Sequence, residues 1–225
     1  MQHKLGFRMD SNTSFEVSLL ERWNDLTSAF VPELKEKWWK HLTSIYNERA
    51  FHNFKHLNDM FQLFDEYKHK FQDQTATAFA IFFLHAVHDL KHSNNAERSA
   101  ELFQQFSSET AFDSADYSTT LILRSGKHCT DAHLTIDTYG EEDIHFLLDF
   151  DVAFLGVNPI EYDINSKNIR KEYDHLNDDE YRQQRLKILK LFMRIPNIYA
   201  TRELRERFET QARQNIAREI SELSK

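Results

Sequence analysis

Residues 74–91, "QTATAFAIFFLHAVHDLK", are apolar on nearly every side. A helix of that kind cannot lie on a surface and must be enclosed by other elements. His and Asp interrupt it, and no apolar run reaches the ~20 residues of a membrane span. The spacing therefore predicts a buried central helix over 74–91. The rest of the chain supplies elements to surround it. Residues 14–30 carry apolar positions at helical spacing after a Ser-rich start. Residues 33–47 follow with Leu34, Trp38, Trp39, Leu42 and Tyr46. Residues 54–70 follow with Leu57, Met60, Phe61, Phe64 and Tyr67. Further helices are expected at 95–107, 114–127, 141–153, 178–194 and 202–223, with loops at 108–113, 129–140 and 155–168. No stretch alternates convincingly as a strand. With 4 Gly and 3 Pro in 225 residues, turns are scarce and helices favoured. The expected fold is all-α: one bundle-like domain over 14–225, preceded by an extension at 1–13. Nineteen Phe point to a core built on aromatic packing.

A formal charge of −8 argues against a sequence-independent nucleic-acid binder, which would be basic, though not against a local basic pocket. One cysteine, Cys129, excludes an intrachain disulfide framework, and no base spacing makes it a nucleophile. The first 23 residues lack the continuous apolar core of a signal peptide. A cytoplasmic protein, with no membrane partner, is expected.

Position makes the twelve histidines informative. His52 and His56 are four apart, on one face of a helix or its first turn. His85, His88 and Asp89 fall on the apolar segment at spacings of three and four, and His88 and His92 share a face too. Apolar surroundings tolerate imidazoles when each ring has a hydrogen-bond partner or a metal. In "LLDFDVAFLG", Asp149 and Asp151 sit among apolar neighbours, where a carboxylate needs a cation, donors or a proton. Neutral imidazoles with carboxylates suit a divalent transition metal (Mn, Fe, Zn or Ni) better than calcium. His128 in "SGKH" is either a phosphate-binding side chain beside Lys127 or a helix C-terminal cation. Glu97 and Arg98 read as an exposed helical pair. His3, His41, His69, His133, His145 and His175 belong to no constellation and are expected at the surface. The charged C-terminal helix is expected to pack on its own domain.

Several segments, in order, resemble a bacterial family of metal-dependent HD-superfamily phosphohydrolases. "RAFHNFKHLNDM" (49–60) is similar to the family's R-x-Y-H-N-x-x-H opening, and "NAERSAEL" (95–102) to N-E-E-R-S-A. "ILRSGKH" (122–128) resembles I-x-x-T-x-x-H, with Ser125 for Thr. "LLDFDVAFLG" (147–156) resembles F-L-D-A-D-L-A-I-L-G. "IRKEY" (169–173), "RLKILKLFMRIPNIYAT" (185–201) and "ETQARQNIAREI" (209–220) look like its closing segments. The resemblance spans about residues 14–223. It implies a helical HD fold whose metal is held by a His, an adjacent His-Asp pair and a later Asp, and activates water against a phosphate ester. On this chain it implies His56 as first ligand and Asp149 as last, with Asp151 as competitor. It gives His52, Arg98, Lys127, His128 and Arg170 substrate roles, and Glu97 a supporting catalytic one. The partner implied is a nucleotide or other small phosphorylated molecule.

The departure lies in the middle. Counting back without gaps from Asn95 puts the family's His-Asp pair on Leu84 and His85. The visible His88-Asp89 dipeptide stands about one helical turn, some 5 Å, downstream. Two outcomes follow. In a rebuilt site His85 faces the metal and His88 or Asp89 supplies the replacement ligand. In an eroded site the metal is lost, and the fold persists as a non-catalytic ligand-binding or interaction module.

Overall fold

The computed structural model describes residues 11–110, 112–113 and 115–225. The rest of the expected N-terminal extension, with His3, lies outside the described residues. The described chain forms eleven α-helices and no strand. They are α1 (Ser11–Leu26), α2 (Pro32–Tyr46), α3 (Phe54–Tyr67), α4 (Gln74–Phe83), α5 (Asn95–Thr110), α6 (Ala115–Ser125), α7 (Asp131–Leu134), α8 (Asp143–Val152), α9 (Pro159–Glu172), α10 (Asp178–Arg194) and α11 (Arg202–Leu223). Single 3-10 turns extend α3 over Lys68–Lys70 and α8 over Ala153–Gly156. Among the described residues no helix is long and apolar enough to cross a membrane.

The central helix forms as expected, with every residue from Ala76 to Phe83 buried. It is enclosed by α3, α5, α6 and α8. Its neighbours meet it largely through aromatic rings. Trp23 packs edge-on to Phe82 at 5.3 Å, Trp38 to Phe106 at 5.4 Å, and Phe83 to Phe103 at 5.1 Å. Such tilted pairs suit the ring quadrupole and add to the area they bury. The C-terminal helix packs on its own domain, against α10 and the 3-10 turn after α8. Its Glu219 receives Arg185 at 2.8 Å and Ser166 at 2.9 Å, and also Tyr162, which ties α9, α10 and α11 through one buried carboxylate.

Two local expectations fail. The helix predicted over 74–91 ends at Phe83, so His85, His88 and Asp89 lie on no helix face. Leu84 N still reaches Ala80 O at 2.7 Å, but beyond it side chains take up several of the backbone groups. Tyr46 Oη donates to the Phe82 carbonyl at 2.7 Å. Arg49 donates to the carbonyls of His85 and Ala86. Ser99 Oγ accepts from Val87 N at 3.0 Å, and Asn95 Oδ1 from Asp89 N at 2.9 Å. Residues 155–168, expected as a loop, contain most of α9. Asn158 caps that helix by accepting from Glu161 N, and Pro159 opens it.

Candidate metal centre

The start of α3, the segment after α4 and the ends of α8 and α9 bring six side chains together. His56 stands in the first turn of α3, oriented by the N-cap Asn53, whose Oδ1 accepts from Lys55 N at 2.9 Å and His56 N at 3.3 Å. His52 lies just before that cap. His85 and His88 lie on the segment after α4. Asp151 ends α8 and Glu172 ends α9.

The donors fall into two groups. His56, His85 and Asp151 each place one ligand atom within 4.8 Å of the other two, and so do His52, His85 and His88. Asp151 Oδ1 is 3.0 Å from His56 Nε2 and 2.7 Å from His85 Nε2. Glu172 Oε2 is 2.6 Å from His52 Nδ1 and 3.5 Å from His88 Nε2. Burial works against the charge of both carboxylates, but the rings beside them outweigh it. Asp151 is held well below the usual carboxylate range by His85 and His56. Glu172 is held below it by His52, His88 and the Phe51 amide. Burial lowers His85 and, reinforced by His88 and His85, carries His52 well below the usual imidazole range. A metal ligand set requires neutral imidazole and ionised carboxylate, and the shifts of His52, His85, Asp151 and Glu172 run in that direction.

Asp151, not Asp149, joins the histidines. Residues two apart on a helix point to opposite sides, so only one of the pair can face them. Asp149 faces the start of α11. It accepts from Ala200 N at 2.7 Å, Thr201 N at 2.8 Å and Thr201 Oγ1 at 2.7 Å, and is wholly buried. A carboxylate so placed satisfies the free amides of a helix N-terminus.

The other expected site residues are spread more widely. His85 is central, shared by both donor groups. His88 joins the cluster through His52 and Glu172. Asp89 does not; it accepts from Lys91 N and from His92 Nδ1 at 2.8 Å. Arg98 lies 3.7 Å from Asp89, and Glu97 is exposed on α5. Arg170 closes the turn after α9, donating to Tyr173 O at 2.8 Å, Leu176 O at 3.1 Å and Asp178 at 2.8 Å. These bonds tie its guanidinium to the turn between α9 and α10, away from the histidine cluster. Lys127 and His128 are exposed after α6 and line neither cavity described below. Leu84 is buried in the apolar core and offers no ligand.

Sequence reasoning missed Glu172, although it lies in the "IRKEY" segment. It also placed His133 and His145 at the surface. Both are buried, and their Nδ1 atoms accept at 3.0 Å from the backbone amides of Thr130 and Glu142, three residues earlier. Each ring caps a helix in the place a Glu or Gln takes in a capping box.

Two cavities flank the cluster. One, of about 370 Å³, is bounded by Arg49, His88, Lys91, Lys171 and Glu172, and also by acidic residues including Asp174. A small one, about 20 Å³, lies beside His56 and Phe154. No protein-family model matches the chain, and neither a curated protein nor a solved structure does.

Proposed function

We propose that the chain is a metal-dependent phosphohydrolase of the HD type, acting on a nucleotide or another small phosphate ester. The observation that carries this reading is the meeting of His56 and His85 on one oxygen of Asp151, across 95 residues of chain. The order His, His, Asp follows the family resemblance, with His85 serving where the His-Asp pair is altered. Two imidazoles and a carboxylate fit manganese, iron, zinc or nickel. A divalent ion bound by His56, His85 and Asp151 would supply Lewis-acid polarisation of a phosphoryl oxygen and would activate water.

The chain's own residues do the rest. Asn53 and Arg49 set the two histidine-bearing segments, and Asp151 keeps both rings turned to one point. The cavity beside His88 admits a small ester, and Lys91 and Lys171 offset phosphate charge there. The acidic residues on the same wall, with the net charge of −8, disfavour a long polyanion. The second reading, a non-catalytic module, is favoured by Leu84, which leaves the usual ligand position apolar. Against it, the cluster is not sealed: the side chains of His52, His85, His88 and Asp151 remain 14–21% exposed.

The test uses tag-free protein stripped of metal and reloaded with manganese, iron, zinc or nickel, assayed on an aryl phosphate and a nucleotide panel. Hydrolysis that requires the ion, disappears in Asp151→Ala and survives in the exposed variant Lys187→Ala supports the reading. Stoichiometric metal with no hydrolysis of any ester tested would sink the hydrolase reading and leave the metal site standing, and a parent that takes up no metal would favour the non-catalytic module.

A further inference from the structure

The proposed function uses one donor group, His56, His85 and Asp151, and leaves His52, His88 and Glu172 without a role. We propose that the centre is binuclear, with a second divalent transition-metal ion held by His52, His85 and His88. This rests on the reading above, because His85 belongs to both groups.

The ring arrangement is the first argument. The imidazole of His52 lies 4.1 Å from that of His88 and 4.5 Å from that of His85, centroid to centroid, and those two are 5.7 Å apart. One ligand atom from each of the three falls within 4.8 Å of the others. Three mutually close imidazoles can bind zinc-like ions while leaving a position open.

Glu172 is the second argument. Its Oε1 accepts the amides of Phe51 at 2.7 Å and His52 at 2.8 Å, and its Oε2 accepts His52 Nδ1 at 2.6 Å. A carboxylate on one imidazole nitrogen fixes the proton there and leaves the lone pair on the other; such pairs recur behind metal-bound histidines. Glu172 therefore orients His52 and presents its Nε2.

His88 is the third. Its Nε2 is buried without a hydrogen bond, and the closest carboxylate oxygen, on Glu172, is 3.5 Å away and already engaged by His52. A buried, desolvated nitrogen with no partner is costly unless something binds it. The cavity of about 370 Å³ reaches both His88 and Glu172, which gives an ion a path in. A neutral imidazole offers one lone pair, so His85 would serve both ions as a bridging imidazolate, its second ring proton released to solvent as the second ion binds.

The test is Co²⁺ binding to tag-free, metal-stripped protein, read as stoichiometry after desalting and as the visible Co²⁺ absorption. The parent should hold two equivalents. Asp151→Ala should hold one, His88→Ala one and His52→Ala one, while His85→Ala should lose most of both. His88→Gln, which keeps volume and polarity, repeats the result if His88→Ala unfolds. One equivalent in the parent, lost in Asp151→Ala and unaffected by His88→Ala and His52→Ala, would overturn the second ion and leave the first site standing. One equivalent lost in His88→Ala and kept in Asp151→Ala would overturn both the binuclear centre and the placement of the first ion. A parent that binds none overturns both proposals.

Discussion

Removing the guanidinium of Arg49 should disturb the proposed metal centre without touching any of its candidate ligands. Arg49 donates to the carbonyls of His85 and Ala86 and lies over the Tyr46 ring, 5.3 Å from its centroid. In Arg49→Met the aliphatic packing is largely kept, and two carbonyls lose a charged donor. A hydrogen bond to a charged group contributes about 1.5–3 kcal/mol when well buried. Arg49 is half-buried, so water replaces part of the loss, and a total of about 2–3 kcal/mol follows for the pair. That is a large share of a typical stability of about 5–15 kcal/mol. The second consequence is local. With its carbonyl freed, His85 is no longer fixed against Asp151, and loss of a group that orients a ligand typically weakens metal binding by about 10- to 100-fold. Denaturant unfolding of the metal-free protein reads the first effect, and competition with a chromophoric chelator reads the second. Full stability together with parental metal affinity in Arg49→Met would refute the claim that Arg49 holds the segment after α4 in place.

Three further expectations follow from the same interactions. Arg185→Met strands the buried Glu219 and should cost about 3–5 kcal/mol in denaturant unfolding, while Arg185→Met with Glu219→Leu should recover most of it. In the metal-free protein, burial holds His52 and His85 below the ordinary imidazole range. The unfolded chain therefore binds protons there as pH falls through about 6.5 while the folded chain does not, so thermal stability should decline from that pH downward. Asp151 and Glu172, both held below the ordinary carboxylate range, steepen the decline in the acid range; a melting temperature flat between pH 7 and pH 5 would contradict this. Leu84→His with His85→Asp should lower both unfolding midpoint and metal content, because it puts an imidazole into the apolar core and a carboxylate opposite Asp151.

The helices at 33–47, 178–194 and 202–223 were readable because their apolar and charged positions keep a strong period and their ends carry caps, such as Asn177 and Thr201. The end of α4 was not. Residues 84–91 have the composition of a continuing helix, and what stops them is hydrogen bonding from Tyr46, Arg49, Asn95 and Ser99, which is tertiary. The same fact changes the meaning of the family-like segments. Arg49 in "RAFHNFKH" and Asn95 and Ser99 in "NAERSA" hold the loop that carries His85 and His88. α9 escaped notice because few of its residues are buried, namely Tyr162, Asn165 and Ile169, too few for a clear stripe. With α9 read as a loop, Glu172 had no helix end to sit on. The choice between Asp149 and Asp151 could not be made from spacing, since α8 is buried on all sides from Asp143 to Phe150 and either face could have met the histidines. The histidines His133 and His145 were recoverable in principle: "TDAH" and "EDIH" set a ring three residues after a helix cap.

The central claim is that His56 and His85 share a metal with Asp151. The most direct measurement is the bound-metal content, by elemental analysis, of tag-free Asp151→Asn and Asp149→Asn purified and reloaded side by side. The account predicts that Asp151→Asn stays folded but loses the ion, whereas Asp149→Asn keeps it and melts earlier. Metal retained in Asp151→Asn and lost in a folded Asp149→Asn would contradict it.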